Sequence, residues 1–289
     1  MIRSLVHRLN TGDETASWAR GLESELALYG MLAGFTLVAL DLGRVFHQTH
    51  AFYGGFEPIT LELIRSIANE TLWGSGWKLQ AAAAAFVGVV FAAAYRKWPG
   101  AWFSATMLAV LTAVSRPLTG HALEQGSWFS LPAILQAIHV LAAAVWMGTL
   151  LVMFAVGARR ARELSAPARA RVVAGMVGTF SPLALGSATA LFVAGCATSF
   201  LYLRAPANLF STPYGLVLVA KVMGFGAVIA AGYYNWQRVG PQLDAAIDAA
   251  GHDPGALRLL ARAAAVELAA AAVVLVFTSI LVVLPMPAA

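Results

Sequence analysis

The sequence predicts an all-α fold, a polytopic transmembrane helix bundle of about seven spans, each near the length that crosses a bilayer. Three observations predict it. First, 60% of the residues are apolar and 11% are charged, against roughly 25% charged in a soluble domain. Second, the apolar residues come in blocks of about 20 or more, the length that crosses about 30 Å of hydrocarbon as a helix. Third, the blocks are rich in Ala, Leu and Val without period-2 alternation. Backbone groups in lipid must be satisfied internally, so only helices or closed barrels can span. The missing alternation decides for helices.

Taken in order, the expected spans run from Leu26 to Phe46, Leu79 to Tyr95, Ala101 to Thr119, and Leu131 to Val156. They continue from Val173 to Leu203, Tyr214 to Trp236, and Ala263 to Leu284. The fifth is long enough to tilt or to project from the membrane. Between the first two, Pro58 to Leu72 places Ile59, Leu63, Ile67 and Ala68 at helical spacing beside Glu57, Glu62 and Glu70. That pattern suits a helix lying in the interface plane. Trp73, Trp77, Trp98, Trp102, Trp128 and Trp236 fall near span ends, as an aromatic belt requires. There is no obvious internal repeat or soluble second domain, so residues 1–289 read as a single integral membrane domain.

Orientation follows from Lys and Arg in the short flanking segments. With the amino terminus inside, the inner segments hold Arg3, Arg8, Arg20, Arg96, Lys97, Arg159, Arg160, Arg162, Arg169, Arg171, Arg238, Arg258 and Arg262. The outer segments hold only Arg65, Lys78 and Arg204. The expectation is therefore a cytoplasmic amino terminus and an outer carboxyl terminus, in a bacterial-type inner membrane. Residues 1–25 have arginines but no apolar core, so they read as a cytoplasmic amphipathic segment rather than a cleavable signal. The formal net charge of +5 is accounted for by this topology, and no nucleic-acid partner is expected. The single cysteine, Cys196, excludes a disulfide framework and any CxxC motif.

Ionisable and soft-ligand side chains inside lipid are costly, so they are the informative ones. His47 and His50 form an H-x-x-H pair at the outer end of the first span, with both imidazoles on one helical face. His121 sits at the outer end of the third span. His139 lies eight residues into the fourth, roughly 12 Å deep at about 1.5 Å per residue. Imidazole suits copper, zinc, iron and nickel, while thiolate and thioether favour Cu(I). These four histidines are candidate metal ligands on the outer half, and Met147, Met223 and Cys196 are candidate relay positions. The competing readings are ordinary: interfacial histidines for the pair, a carbonyl cap for His121, and core packing for the methionines and the cysteine.

Lys221 lies near the middle of the sixth span, Asn235 near its inner end, and Glu267 near the inner end of the seventh. A lysine at that depth needs a carboxylate, a carbonyl or a wet cavity. A structural polar clamp is the alternative to a functional role. Asp41, Arg44 and Arg116 read as local pairs or headgroup contacts. No P-loop, GxSxG or DKTGT-like phosphorylation motif is present, so neither ATP-driven pumping nor enzymatic activity is expected.

Several segments, in order, resemble one family. His139-Val140-Leu141-Ala142-Ala143-Ala144-Val145-Trp146-Met147-Gly148 resembles the H-x-L-A-A-x-x-W-x-G stretch of the CopD/PcoD copper resistance membrane proteins. Thr119-Gly120-His121-Ala122, Phe180-Ser181-Pro182-Leu183-Ala184 and Thr212-Pro213-Tyr214-Gly215 agree in order, followed by Lys221, Asn235, Glu267 and Leu284-Pro285. Glu70-Thr71-Leu72-Trp73-Gly74-Ser75-Gly76-Trp77 looks like the family segment before its third span. The likeness covers most of residues 26–285 and is strongest over 119–289. The chain has one expected span fewer than family members usually have, and the one wanting is the first.

The resemblance implies copper movement or handling at the inner membrane, alongside a periplasmic copper-binding protein. It makes His121 and His139 candidate copper ligands, and it gives Lys221, Asn235 and Glu267 a structural or gating role. His47 and His50 rest on spacing alone. Two other readings stay open. One is a membrane haem protein of the HemJ-like type, with haem b on axial His121 and His139 and Lys221 near a propionate. The other is a membrane anchor for a periplasmic copper chaperone. Small residues at Gly175, Gly178, Ala220 and Gly224 permit close helix contacts, within one chain or in an oligomer.

Overall fold

The computed structural model describes residues 13–120, 129–203, 205–239, 241 and 254–284. Among the described residues 89% are helical and none lies in a strand. Among the described residues six helices are long and apolar enough to cross a membrane: Glu14–Tyr53, Leu72–Tyr95, Leu131–Ala161, Ala166–Leu203, Pro213–Arg238 and Ala261–Val283. The polytopic α-helical architecture expected from the blocks of apolar residues is the one observed.

The elements are α1 (Asp13–Tyr53), α2 (Leu61–Glu70), α3 (Leu72–Tyr95), α4 (Ala101–Val114), α5 (Leu131–Val152), α6 (Ala166–Leu203), α7 (Asn208–Ser211), α8 (Pro213–Tyr234) and α9 (Pro254–Val283). α5 runs on through a π-helical stretch, Met153–Ala158, and α8 through another, Asn235–Val239. The third expected span differs from expectation. Helix α4 has 14 residues, about 21 Å at 1.5 Å per residue, and the chain then tightens into a 3-10 turn, Arg116–Thr119. Pro117 accounts for the change, because proline cannot donate to the preceding turn and clashes with it.

The chain divides into two compact units, residues 23–141 and residues 1–22 with 142–289. In the first, α2 forms a short helix within the stretch from Pro58 to Leu72 where helical spacing was expected. Thr60 caps its start by accepting from Leu63 N–H at 3.4 Å, and its apolar face buries Ile67 and Ala68 with Val45, against Tyr53, Trp73 and Trp77. Thr71 then caps α3, accepting from Gly74 N–H at 2.8 Å. The turn from α3 to α4 passes through two residues in the left-handed region, Lys97 and Gly100. Glycine adopts that conformation without the Cβ clash that other residues meet.

Helices in lipid gain little from hiding apolar surface from one another, so close packing depends on small residues. In the first unit a Cβ on Gly34 would lie 2.5 Å from Gly88 N and 2.7 Å from Gly88 Cα, so α1 and α3 meet backbone to backbone. Ala27, Ala94 and Ala101 close a neighbouring contact. In the second unit α8 packs along α9. Its core holds Ala142, Trp146, Leu191, Val228 and Ala271, with Phe180, Phe225 and Val274 packed against it. Pro182 sits inside α6, where Ser181 Oγ donates to Val177 O at 2.9 Å.

Gly34→Leu is therefore expected to lower the thermal midpoint of the detergent-purified protein, at a cost of roughly 1–3 kcal/mol of overpacking. Gly43→Ala, where nothing lies within 4 Å, should leave the midpoint unchanged or raise it slightly. Equal effects at the two sites would show that the α1–α3 approach does not depend on Gly34.

Candidate functional site

The residues singled out in the sequence fall in different settings. His47 and His50 are exposed on the last two turns of α1. His139 is half-buried within α5. His121 lies outside the described residues. Met147 is half-buried against the cluster around Trp146 and Leu191. Met223 on α8 is 71% exposed, and Cys196 on α6 is exposed too, so within one chain neither lines an interior. Among the described residues no three His, Cys, Asp or Glu side chains group closely enough to hold a metal ion.

One intramembrane pair is brought together. Glu267 on α9 is 6% exposed and accepts a hydrogen bond from Asn235 Nδ2. Asn235 begins the π-helical stretch that follows α8. A π-helical turn widens the backbone and re-aims the side chains around it. Gly232, nearly one turn earlier, faces the same carboxyl, and a Cβ there would make only an ordinary contact, 3.8 Å from Glu267 Oε1. Lys221, on the same helix, is half-buried and makes no ion pair among the described residues.

A second polar centre lies in the unit of residues 23–141, around a residue that sequence reasoning passed over. Gln80 on α3 is 2% exposed and Asp41 on α1 is 4% exposed. Arg44 Nη1 donates to Gln80 Oε1 at 2.6 Å and to Asp41 Oδ1 at 3.1 Å. Arg44 Nη2 donates to Thr119 Oγ1 at 2.8 Å. Arg116 Nη1 donates to the same Gln80 oxygen at 3.1 Å. Two indole N–H groups pin the backbone around them: Trp77 Nε1 donates to Asp41 O at 2.7 Å and Trp73 Nε1 to Thr119 O at 3.2 Å. The Arg44 guanidinium also lies 5.8 Å from the centre of the Trp73 ring, within cation–π range.

The reason for this wiring is electrostatic. A guanidinium stays charged in a protein, and inside a membrane it needs fixed acceptors. Gln80 supplies a carbonyl oxygen from within an apolar helix, and one oxygen holds both arginines. A lone amide in Leu79-Gln80-Ala81-Ala82-Ala83 was the signal that could have identified it.

Comparison with known proteins adds a family. Residues 174–281 match the family model described as copper resistance protein D (CopD). The match supports the resemblance to the CopD/PcoD copper resistance family drawn above from the motifs. It runs from α6 to α9 and contains Lys221, Asn235 and Glu267, while His121 and His139 precede it. No curated protein matches the chain, and no solved structure does.

Gln80→Leu leaves two guanidiniums without their shared acceptor, and hydrogen bonds to charged groups are each worth roughly 1.5–3 kcal/mol. It should cost about 2 kcal/mol or more in thermal or denaturant unfolding, whereas an isosteric core change nearby should cost little. At the other centre, Asn235→Leu removes the partner of a buried carboxyl, and Glu267→Gln keeps a hydrogen-bonding pair. Asn235→Leu should therefore destabilise by about 1–3 kcal/mol and Glu267→Gln by clearly less, read as the difference between their unfolding midpoints.

Proposed function

We propose that this multi-pass membrane protein moves copper across the bacterial inner membrane, and the observation that carries the proposal is the CopD match over residues 174–281. The matched family is one of copper resistance membrane proteins, and the apolar helices provide the crossing. The amino terminus is cytoplasmic on this reading, because the inner segments hold the basic residues. The carboxyl terminus is outside.

Copper is the cargo, and the donors suit it. Neutral imidazole binds copper in either oxidation state, and thioether favours Cu(I). His121 and His139 capture the ion from the outer side, with His47 and His50 as outlying donors. Met147, eight residues beyond His139, offers a softer position in the membrane. Met223 and Cys196, exposed in a single chain, join the path only where another copy or a partner covers them. Conduction needs sites that are strong enough to enter and weak enough to leave. A dispersed donor set fits that need better than a closed cage of ligands. Lys221, Asn235 and Glu267 set helix positions around the path, and a periplasmic copper-binding protein delivers the ion.

The measurement is copper bound per purified chain, with cellular copper accumulation, for the unaltered protein and His139→Ala. The expected result is a loss of at least half the bound copper and a matching fall in accumulation. Unchanged values for both would remove His139 from the mechanism. A visible spectrum of the same sample tests the haem alternative, because an intense Soret band would reassign His121 and His139 as axial ligands.

A further inference from the structure

The Arg44–Gln80–Arg116 centre is short of negative charge. Its charged members among the described residues are two guanidiniums and one carboxylate, Asp41. The two cations share one neutral oxygen, so they lie within about 6 Å of each other and repel. A closed structural network would set a second carboxylate at the Gln80 position. Among the described residues the centre carries one net positive charge instead.

Its two arginines are also used unequally. Arg44 is bonded to Asp41, Gln80 and Thr119 and stacked on Trp73. Arg116 donates one hydrogen bond among the described residues, to Gln80, and the residue is exposed. Most of its five N–H donors therefore face no acceptor among the described residues. A guanidinium in that state matches a phosphate group, which it can bind through two parallel hydrogen bonds.

An apolar groove begins at the same point of the chain. Val114, Pro117 and Leu118, on either side of Arg116, line it together with Ala133, Ala137 and Leu141. Its volume is about 280 Å³. On α1, Leu40, Leu42 and Phe46, within four residues of Arg44 in the chain, are exposed. Water would fill such a groove poorly, and a hydrocarbon chain fills it well.

We propose that Arg44 and Arg116, bridged by Gln80, bind the phosphate of an anionic phospholipid whose acyl chain lies in the groove beside Pro117 and Ala137. The single net positive charge is balanced by the single net negative charge of such a lipid. A zwitterionic lipid brings its own cation and is not balanced in this way. The site would hold the short helix α4 and its 3-10 turn against α3 through a lipid rather than through protein alone. The proposal stands apart from the copper reading.

The full chain is reconstituted in nanodiscs of phosphatidylglycerol or of phosphatidylcholine with the same acyl chains, and the unfolding midpoint is measured in each. Lipid phosphorus retained per chain after detergent exchange is measured alongside. The unaltered protein should unfold several degrees higher in phosphatidylglycerol and retain at least one lipid phosphorus per chain. Arg116→Gln removes the open guanidinium, and Gln80→Glu supplies the missing charge from within while keeping both arginines and the side-chain shape. Each should lose most of the difference between the two lipids, and Gln80→Glu should do so while remaining at least as stable in phosphatidylcholine. Equal midpoints for the unaltered protein in both lipids would overturn the proposal. So would a lipid difference that persists in both variants. Inorganic phosphate alone reproducing the full shift would overturn the lipid assignment, because the groove would then take no part.

Discussion

A polar group in hydrocarbon must find its partner inside the protein, and this requirement organises the chain at two scales. Backbone amides meet it by forming helices. Hydroxyls meet it within the same helix, one turn back. Thr49 donates to Val45 O, Thr112 to Leu108 O, Thr179 to Gly175 O, Thr189 to Leu185 O, Ser199 to Gly195 O and Thr278 to Val274 O. Such residues place few demands on their neighbours. Carboxamides, carboxylates and guanidiniums are different, because their reach and charge call for an acceptor or donor on another helix. Gln80 ties α3 to α1 and to the turn after α4, and Asn235 ties the end of α8 to α9. A few costly residues thus set the register of helices whose apolar faces are nearly interchangeable.

Close packing supplies the second constraint. The lipid-facing side chains are as apolar as the buried ones, and large residues such as Phe46, Phe86, Phe103 and Phe200 are exposed. Apolarity therefore does not distinguish which face of a helix meets protein. Side-chain volume does. Gly34 with Gly88 in one unit and Gly224 beside Val274 in the other mark where helices approach. Between them, small residues set the spacing and polar residues set the register.

This division explains what was legible in the sequence. Span positions were, because block length and backbone satisfaction are local properties. The helix α2 was legible too, since Leu63 and Ile67 recur at helical spacing and Ile67 and Ala68 become its buried face. The third span is shorter than its apolar pattern suggests. The apolar pattern continues to Leu118, but Pro117 turns the chain into a 3-10 segment. Pairings were not legible. Gln80 lies 36 residues from each of the two arginines it holds, and Asn235 lies 32 from Glu267. No periodicity relates residues at such separations. Asp41 and Arg44 could be paired from their spacing of three, as observed. The histidines were legible as donor types only, because a ligand set is defined by convergence, and that is a tertiary property.

Charge also ranks the candidate donors. A copper ion is a cation, and a centre of two guanidiniums and one carboxylate repels it. His47 lies three residues beyond Arg44 on α1, a spacing that puts both on one face of the helix. An ion held between His47 and His50 would sit beside that uncompensated charge unless an anion neutralised it. No guanidinium occurs at helical-neighbour spacing from His139 on α5, where the adjoining turns carry Leu135, Gln136, Ala142 and Ala143. The charges on each histidine's own helix therefore favour His139 over the H-x-x-H pair as a candidate donor. The motif with the more familiar metal-binding spacing is the one whose surroundings suit a cation less.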